Sequence, residues 1–125
     1  MNFDFYGLVN VGNRGQICLP LDVRRDFGIK SGEFVNIVFL KKMTGILITK
    51  DTPPKIGVLF ENNKVQDSGQ IILPKTLRDE HNIKEGMKFL VMKKKGSCLL
   101  LLDFNCLKTK LNTLLKKFEV LENEQ

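Results

Sequence analysis

Displaced by 54 positions, the chain matches itself. Val11/Val65, Gly15/Gly69, Gln16/Gln70, Ile17/Ile71, Leu19/Leu73, Pro20/Pro74, Arg24/Arg78, Ile29/Ile83, Lys30/Lys84 and Gly32/Gly86 are identical without a gap. Such self-similarity marks a duplicated structural unit, and it limits the folds open to the chain. A lone copy of about fifty residues sits near the lower limit for independent folding, because so short a chain buries too little of its surface. Two copies completing one core remove that difficulty, so the sequence predicts a pseudo-two-fold protein. Its parts are repeat one over 1–50, a linker over 51–57 around Thr52-Pro53-Pro54-Lys55, repeat two over 58–103, and a C-terminal amphipathic helix over 104–125.

Within each copy the same grammar recurs. Gly15 to Leu19 and Gly69 to Leu73 read as turns feeding short strands. A proline follows each, suited to the first turn of a helix, where its missing N–H is not needed. Leu19, Val23 and Phe27 recur every four residues, which predicts a two-turn helix over Leu21 to Phe27 with those three facing inward. Gly28 supplies the left-handed residue that stops it, and Asn82 stands at the matching place in copy two. Phe34 to Leu40, Ile46 to Thr49, Lys88 to Lys93 and Cys98 to Leu102 read as further strands. From Leu107 the period changes. Leu107, Leu111, Leu114, Phe118 and Leu121 alternate steps of four and three, an apolar seam on a helix that Asp103 or Asn105 would cap. Two heptads are too short to stand alone, so the seam must bury itself on its own barrel, another subunit or a partner protein.

Composition narrows the function classes. With 42% hydrophobic and 27% charged residues the chain can pack a core and is not disordered. It contains no apolar run of the roughly 18 residues that a membrane helix needs. Met1 to Tyr6 carries Asp4 and lacks the basic start of a signal peptide, so a cytoplasmic protein is expected. Cys18, Cys98 and Cys106 are odd in number and show no CxxC spacing, which reads as reduced thiols. No metal-ligand spacing, phosphate-binding glycine loop or nucleophile–base pair appears, so neither an enzyme nor a cofactor or metal is expected. The net charge is +6: residues 1–50 hold seven Lys/Arg against four Asp/Glu, 51–102 nine against six, and 103–125 four against four. The basic excess thus lies in the repeats, where it can meet a polyanion.

The pattern Gly15-Gln16-Ile17-Cys18-Leu19-Pro20-Leu21-Asp22-Val23-Arg24-Arg25, then Gly28-Ile29-Lys30-Ser31-Gly32, resembles the AbrB/MazE/SpoVT family of swapped-hairpin DNA-binding domains. Gly69 to Arg78, then Asn82 to Gly86, repeats it. The resemblance covers roughly 7–50 and 58–102. It implies a mainly β, swapped-hairpin AbrB-like β-barrel in which the two tandem copies form a pseudo-dimer. Each copy would carry a short helix, and loops and helices together would present a basic face to double-stranded DNA. It also implies transcriptional regulation. Where the family commonly has arginine after the glycine, this chain has Gln16 and Gln70, with Arg14 one place before Gly15; where copy one pairs Arg24 with Arg25, copy two has Arg78 with Asp79.

The DNA-contacting set expected on these grounds is Arg14, Gln16, Arg24, Arg25, Gln70, Lys75 and Arg78. Arg24 and Arg25 follow the inward Val23 by about 100° and 200° of helix, so both are expected to point outward toward phosphates. Arg14 and Gln16 flank a turn that can approach a groove, and glutamine can hydrogen-bond a base edge. Asp79 and Glu80 offset Lys75 and Arg78, so copy one is expected to dominate. Lys93-Lys94-Lys95 reads as a solubilising hairpin tip, and His81, at the place of Phe27, as a structural histidine. Two rival readings stand beside the regulator: an antitoxin-type interaction protein that grips a partner with its C-terminal helix, and a barrel scaffold without DNA binding.

Overall fold

A computed structural model describes residues 3–94 and 98–123. Among these residues eight strands and three α-helices follow one another in the order β1 (Phe3–Asn10), β2 (Gln16–Cys18), α1 (Leu21–Phe27), β3 (Phe34–Leu40), β4 (Gly45–Thr49), β5 (Val58–Lys64), β6 (Gln70–Ile72), α2 (Lys75–Glu80), β7 (Lys88–Lys94), β8 (Cys98–Asp103) and α3 (Phe104–Asn123). The protein is mainly β. Six strands form one antiparallel sheet in the order β1-β7-β8-β4-β3-β5, and β2 pairs with β6 in a separate two-stranded ribbon.

The pairing exchanges strands between the copies. The first strand of copy one, β1, lies on β7 of copy two, and the first strand of copy two, β5, lies on β3 of copy one. β4 meets β8 at the centre. A pseudo-two-fold relation runs through the whole arrangement. Ile17 opposes its own counterpart Ile71 in the ribbon, and Leu47 opposes Leu100 in the sheet. The core obeys the same relation: Ile17/Ile71, Leu19/Leu73, Val23/Leu77, Val35/Phe89 and Ile37/Val91 are all buried, each pair 54 residues apart. In the last strands the interval drops to 53, since Ile46 and Ile48 correspond to Leu99 and Leu101.

The expected closed barrel is not formed. β1 and β5 end the sheet as open edges, and the ribbon β2/β6 with the two short helices packs over one face instead of closing the circle. Burial explains how this suffices. The covered face supplies the main core, and the strands alternate accordingly, with Val35, Ile37 and Phe39 facing it from β3. The opposite face is also apolar. A row of direct cross-strand neighbours, Phe5–Met92–Leu100–Leu47–Val38–Leu59, crosses all six strands. Met92, Leu47 and Val38 are buried and Leu100 half-buried, while Phe5 and Leu59 at the edges stay exposed.

Local signals act as expected in the helices. Leu19, Val23 and Phe27 are buried, and Gly28 ends α1 in the left-handed conformation at φ 80°. Asn82 adopts the same region at φ 54°, one residue beyond the α2 cap. Pro20 and Pro74 stand one place before the first helical residue, and their carbonyls accept the first helical bonds from Arg24 and Arg78 at 3.0 Å. Asp103, rather than Asn105, caps α3: its Oδ1 accepts from the backbone N–H of Asn105 at 3.0 Å. Asp103→Ala should lower stability by about 1 kcal/mol, the usual worth of such a cap, read as a shift in urea midpoint at constant slope. Among the described residues no helix is long and apolar enough to cross a membrane.

Candidate nucleic-acid interface

Strand exchange decides which residues share a surface. The turn that precedes β2, Gly12 to Gly15, is closed by Gly15 N–H donating to the Gly12 carbonyl at 3.0 Å. It does not lie against its own helix. Leu73 N–H of copy two donates to the Gly15 carbonyl at 2.9 Å, and the side chain of Arg78, on α2, covers Gly15. The converse holds at the other end. The turn Gln66 to Gly69 sits by α1, where Arg24 covers Gly69 and the Cys18 thiol approaches the Ser68 carbonyl at 3.7 Å. Each end of the face is therefore a composite of one copy's turn and the other copy's helix.

Arg24 and Arg78 are placed differently from the outward orientation expected of them. Both are half-buried. Arg24 Nε donates to the Leu19 carbonyl at 3.1 Å, and Arg78 Nε to the Leu73 carbonyl at 3.0 Å. Each bond ties the strand-to-helix corner of its own copy, while the aliphatic stem lies on the glycine of the other copy's turn. Gly15 and Gly69 have φ of 76° and 72°, and a Cβ on either would overlap the arginine that covers it. The repeated glycine and arginine are thus two halves of one contact between the copies. The alkyl part of an arginine packs while its head finds a carbonyl.

Arg25 does point outward, 70% exposed in its side chain, with Nε 3.4 Å from Asp26 Oδ1. Arg14 and Lys75 are exposed, and neither takes part in an ion pair among the described residues. Gln16 is turned to its own loop. Its Oε1 accepts from the Arg14 N–H at 2.8 Å, its Nε2 donates to Asn13 Oδ1 at 3.3 Å, and its amide fills the space beside Gly12. Those bonds brace the turn that carries Arg14. Gln70 is half-buried at the start of β6, opposite Cys18.

Charge over this face is balanced in sum and uneven in place. Arg14, Arg24, Arg25, Lys75 and Arg78 stand against Asp22, Asp26, Asp67, Asp79 and Glu80, five against five. One end joins the first turn, which carries Asn13 and Arg14, to α2, which begins with Lys75 and Thr76. The other joins the turn with Asp67 and Ser68 to α1, which begins with Leu21 and Asp22. The charge asymmetry thus runs between the two ends, and the more basic end draws on both copies.

Two residues of the neighbourhood carried no signal in the sequence. Tyr6, on β1, donates to Asp26 Oδ2 at 3.0 Å, and burial together with that bond pushes its hydroxyl up to about 12. Lys50 donates to the Gly28 carbonyl at 3.0 Å, at the C-terminus of α1. His81 stacks on Phe39, ring centroids 3.8 Å apart and planes 11° from parallel, as a core-packing histidine does. Of Lys93-Lys94-Lys95, Lys95 lies outside the described residues. Cys18, Cys98 and Cys106 are unpaired. Among the described residues no cluster of His, Cys, Asp or Glu could hold a metal ion.

No protein-family model matches this chain, and no curated protein does. Among solved structures the chain is similar to the solution structure of PHS018 from Pyrococcus horikoshii, at 30% identity over 80% of this chain and 92% of that one, with a TM-score of 0.47.

Proposed function

We propose that this chain is a transcription regulator that binds double-stranded DNA, and that it is an open-sheet member of the AbrB-like swapped-hairpin type. The observation that carries the reading is the seating of each copy's turn on the other copy's helix. That exchange is what a swapped-hairpin domain requires, and it brings exposed Arg14 of one copy to the end of the face that holds Lys75 of the other. The turn is short and braced by Gln16, so its arginine is presented on a rigid loop, able to approach a backbone phosphate. The two turns and two short helices sum to zero charge, so binding rests on a few placed cations and not on a broad field.

The test is a salt titration on one duplex. Each neutralised phosphate contributes about 0.9 to the slope of log affinity against log salt. Arg14→Ala with Lys75→Ala should flatten that slope by nearly two, whereas Arg25→Ala, its charge shared with Asp26, should flatten it by less than one. Circular dichroism verifies that the variants fold. Binding of the folded Arg14→Ala/Lys75→Ala variant with the original slope and affinity would remove this end of the face as the contact. Absence of any salt-dependent duplex binding by the unaltered chain would leave the scaffold reading in its place.

A further inference from the structure

Helix α3 leaves its apolar seam in solvent. Leu111, Leu114, Leu115, Phe118 and Leu121 are 50% to 62% exposed, and α3 contains no fully buried residue. The helix is rooted through Asp103 and touches the sheet at β7 and β8, where Phe104, Cys106 and Leu107 are half-buried. Beyond that first turn and a half the chain's own sheet covers nothing. Five such side chains at ~100 Å² each make a patch of roughly 500 Å², toward the top of what a monomer leaves bare.

Charge along the helix says what fits there. With Leu107, Leu114 and Leu121 at one core position of the heptad and Leu111 and Phe118 at the other, the flanking row is Lys108, Leu115 and Glu122. Read backwards, that row complements itself. If two copies of α3 run antiparallel, Lys108 of each lies opposite Glu122 of the other, and Leu115 meets its twin on the axis. In the core, Leu111 layers with Leu121 and Leu114 with Phe118. A parallel pair would instead set Lys117 opposite Glu122 and bring Lys110, not a second leucine, to Leu115. On the other flank Lys117 meets its twin, a like-charge contact that the antiparallel arrangement carries.

We propose that a second copy of this chain covers the seam, the two α3 helices packing antiparallel about a two-fold axis at Leu115. The contact is isologous, so the same patch serves both partners and the assembly closes at two. Its extent is roughly 1,000 Å² for the pair, just under the usual range of specific interfaces, so the dimer should come apart on dilution.

Sedimentation equilibrium of the full chain over a range of concentrations tests this. The unaltered protein should approach twice the monomer mass as concentration rises. Leu114→Ser with Phe118→Ser should remain monomeric with the sheet intact, because these side chains are 62% and 58% exposed in the single chain and outside its core. Lys108→Glu and Glu122→Lys should each weaken dimerisation about tenfold, since two symmetric contacts turn from attractive to repulsive at a few tenths of a kcal/mol each way. An equimolar mixture of the two should recover the original association, because both cross-pairs are restored. A monomer at every concentration would overturn the proposal, and leave the seam to a different protein. A dimer indifferent to Leu114→Ser/Phe118→Ser would overturn it as well. Lys108→Glu without effect beside a weakened Glu122→Lys would show parallel helices, in which Glu122 faces Lys117 of the partner, and refute the antiparallel arrangement. Unchanged mass with lowered stability in Leu114→Ser/Phe118→Ser would place the seam on the chain's own sheet, and that also refutes it.

Discussion

Residues 1–52, produced alone, should fail to fold as a monomer. Among the described residues β1 is paired only with β7, β2 only with β6, and the outer edge of β3 is closed by β5. Cutting after copy one removes every one of these partners and strips Ile17, Leu19 and Val23 of the copy-two residues that bury them with the rest of the core. What remains in register is the hairpin β3–β4 and α1, and a two-stranded hairpin is at best marginal in water. The pseudo-two-fold relation adds a corollary: two such fragments can supply each other's missing strands. At low concentration, 1–52 should give the circular dichroism of an unfolded chain, and at high concentration that of a dimer. Mixed with 53–125, it should regain a cooperative urea transition. A monomeric 1–52 with sharp, dispersed amide resonances would refute the exchange of strands.

Gly69→Ala should cost about 2 kcal/mol or more, and the part of that loss beyond backbone strain should depend on Arg24. Two effects act at this position. The φ of 72° strains any residue with a Cβ by roughly 1–2 kcal/mol, and the added methyl meets the stem of Arg24. Gly32→Ala separates them, since Gly32 has φ 87° with open space around its missing Cβ. The excess of Gly69→Ala over Gly32→Ala is the contact with Arg24. Arg24→Ala should itself destabilise, because it leaves the Leu19 carbonyl without its donor and uncovers the turn. The two losses should not add: with the arginine gone the methyl has room, so a double-mutant cycle should show coupling of about 1 kcal/mol or more. Additive losses in urea unfolding would mean that the glycine and the arginine act separately.

Helices and hairpins were legible because their signals are local. The four-residue spacing of Leu19, Val23 and Phe27 and the stop at Gly28 marked α1 to the residue, and the apolar runs marked β3, β4, β7 and β8 to within one. The two outer strands were not legible. Phe3–Asn10 and Val58–Lys64 lack clean alternation, each carries a bulge, and each is held by a strand of the other copy. Their state is fixed by a distant partner, which periodicity within a window cannot report. The site shows the same division. Arg14, Lys75 and Arg25 lie on the surface as residue type leads one to expect. Gln16, Arg24 and Arg78 have the same polar character but are committed to backbone and turn partners.

By itself the sequence determined that the protein is duplicated, mainly β and pseudo-symmetric, because a repeat with core positions in constant register can bury them only by pairing copy with copy. It also determined the seam of α3, whose spacing is written in one helix. Only the tertiary structure decided that the strands exchange without closing a barrel, since closure depends on whether the edges β1 and β5 meet. It alone showed that the repeated Gly and Arg form a joint between the copies. A side chain's role there depends on what a residue some 45 or 63 positions away, Gly69 for Arg24 and Gly15 for Arg78, places against it.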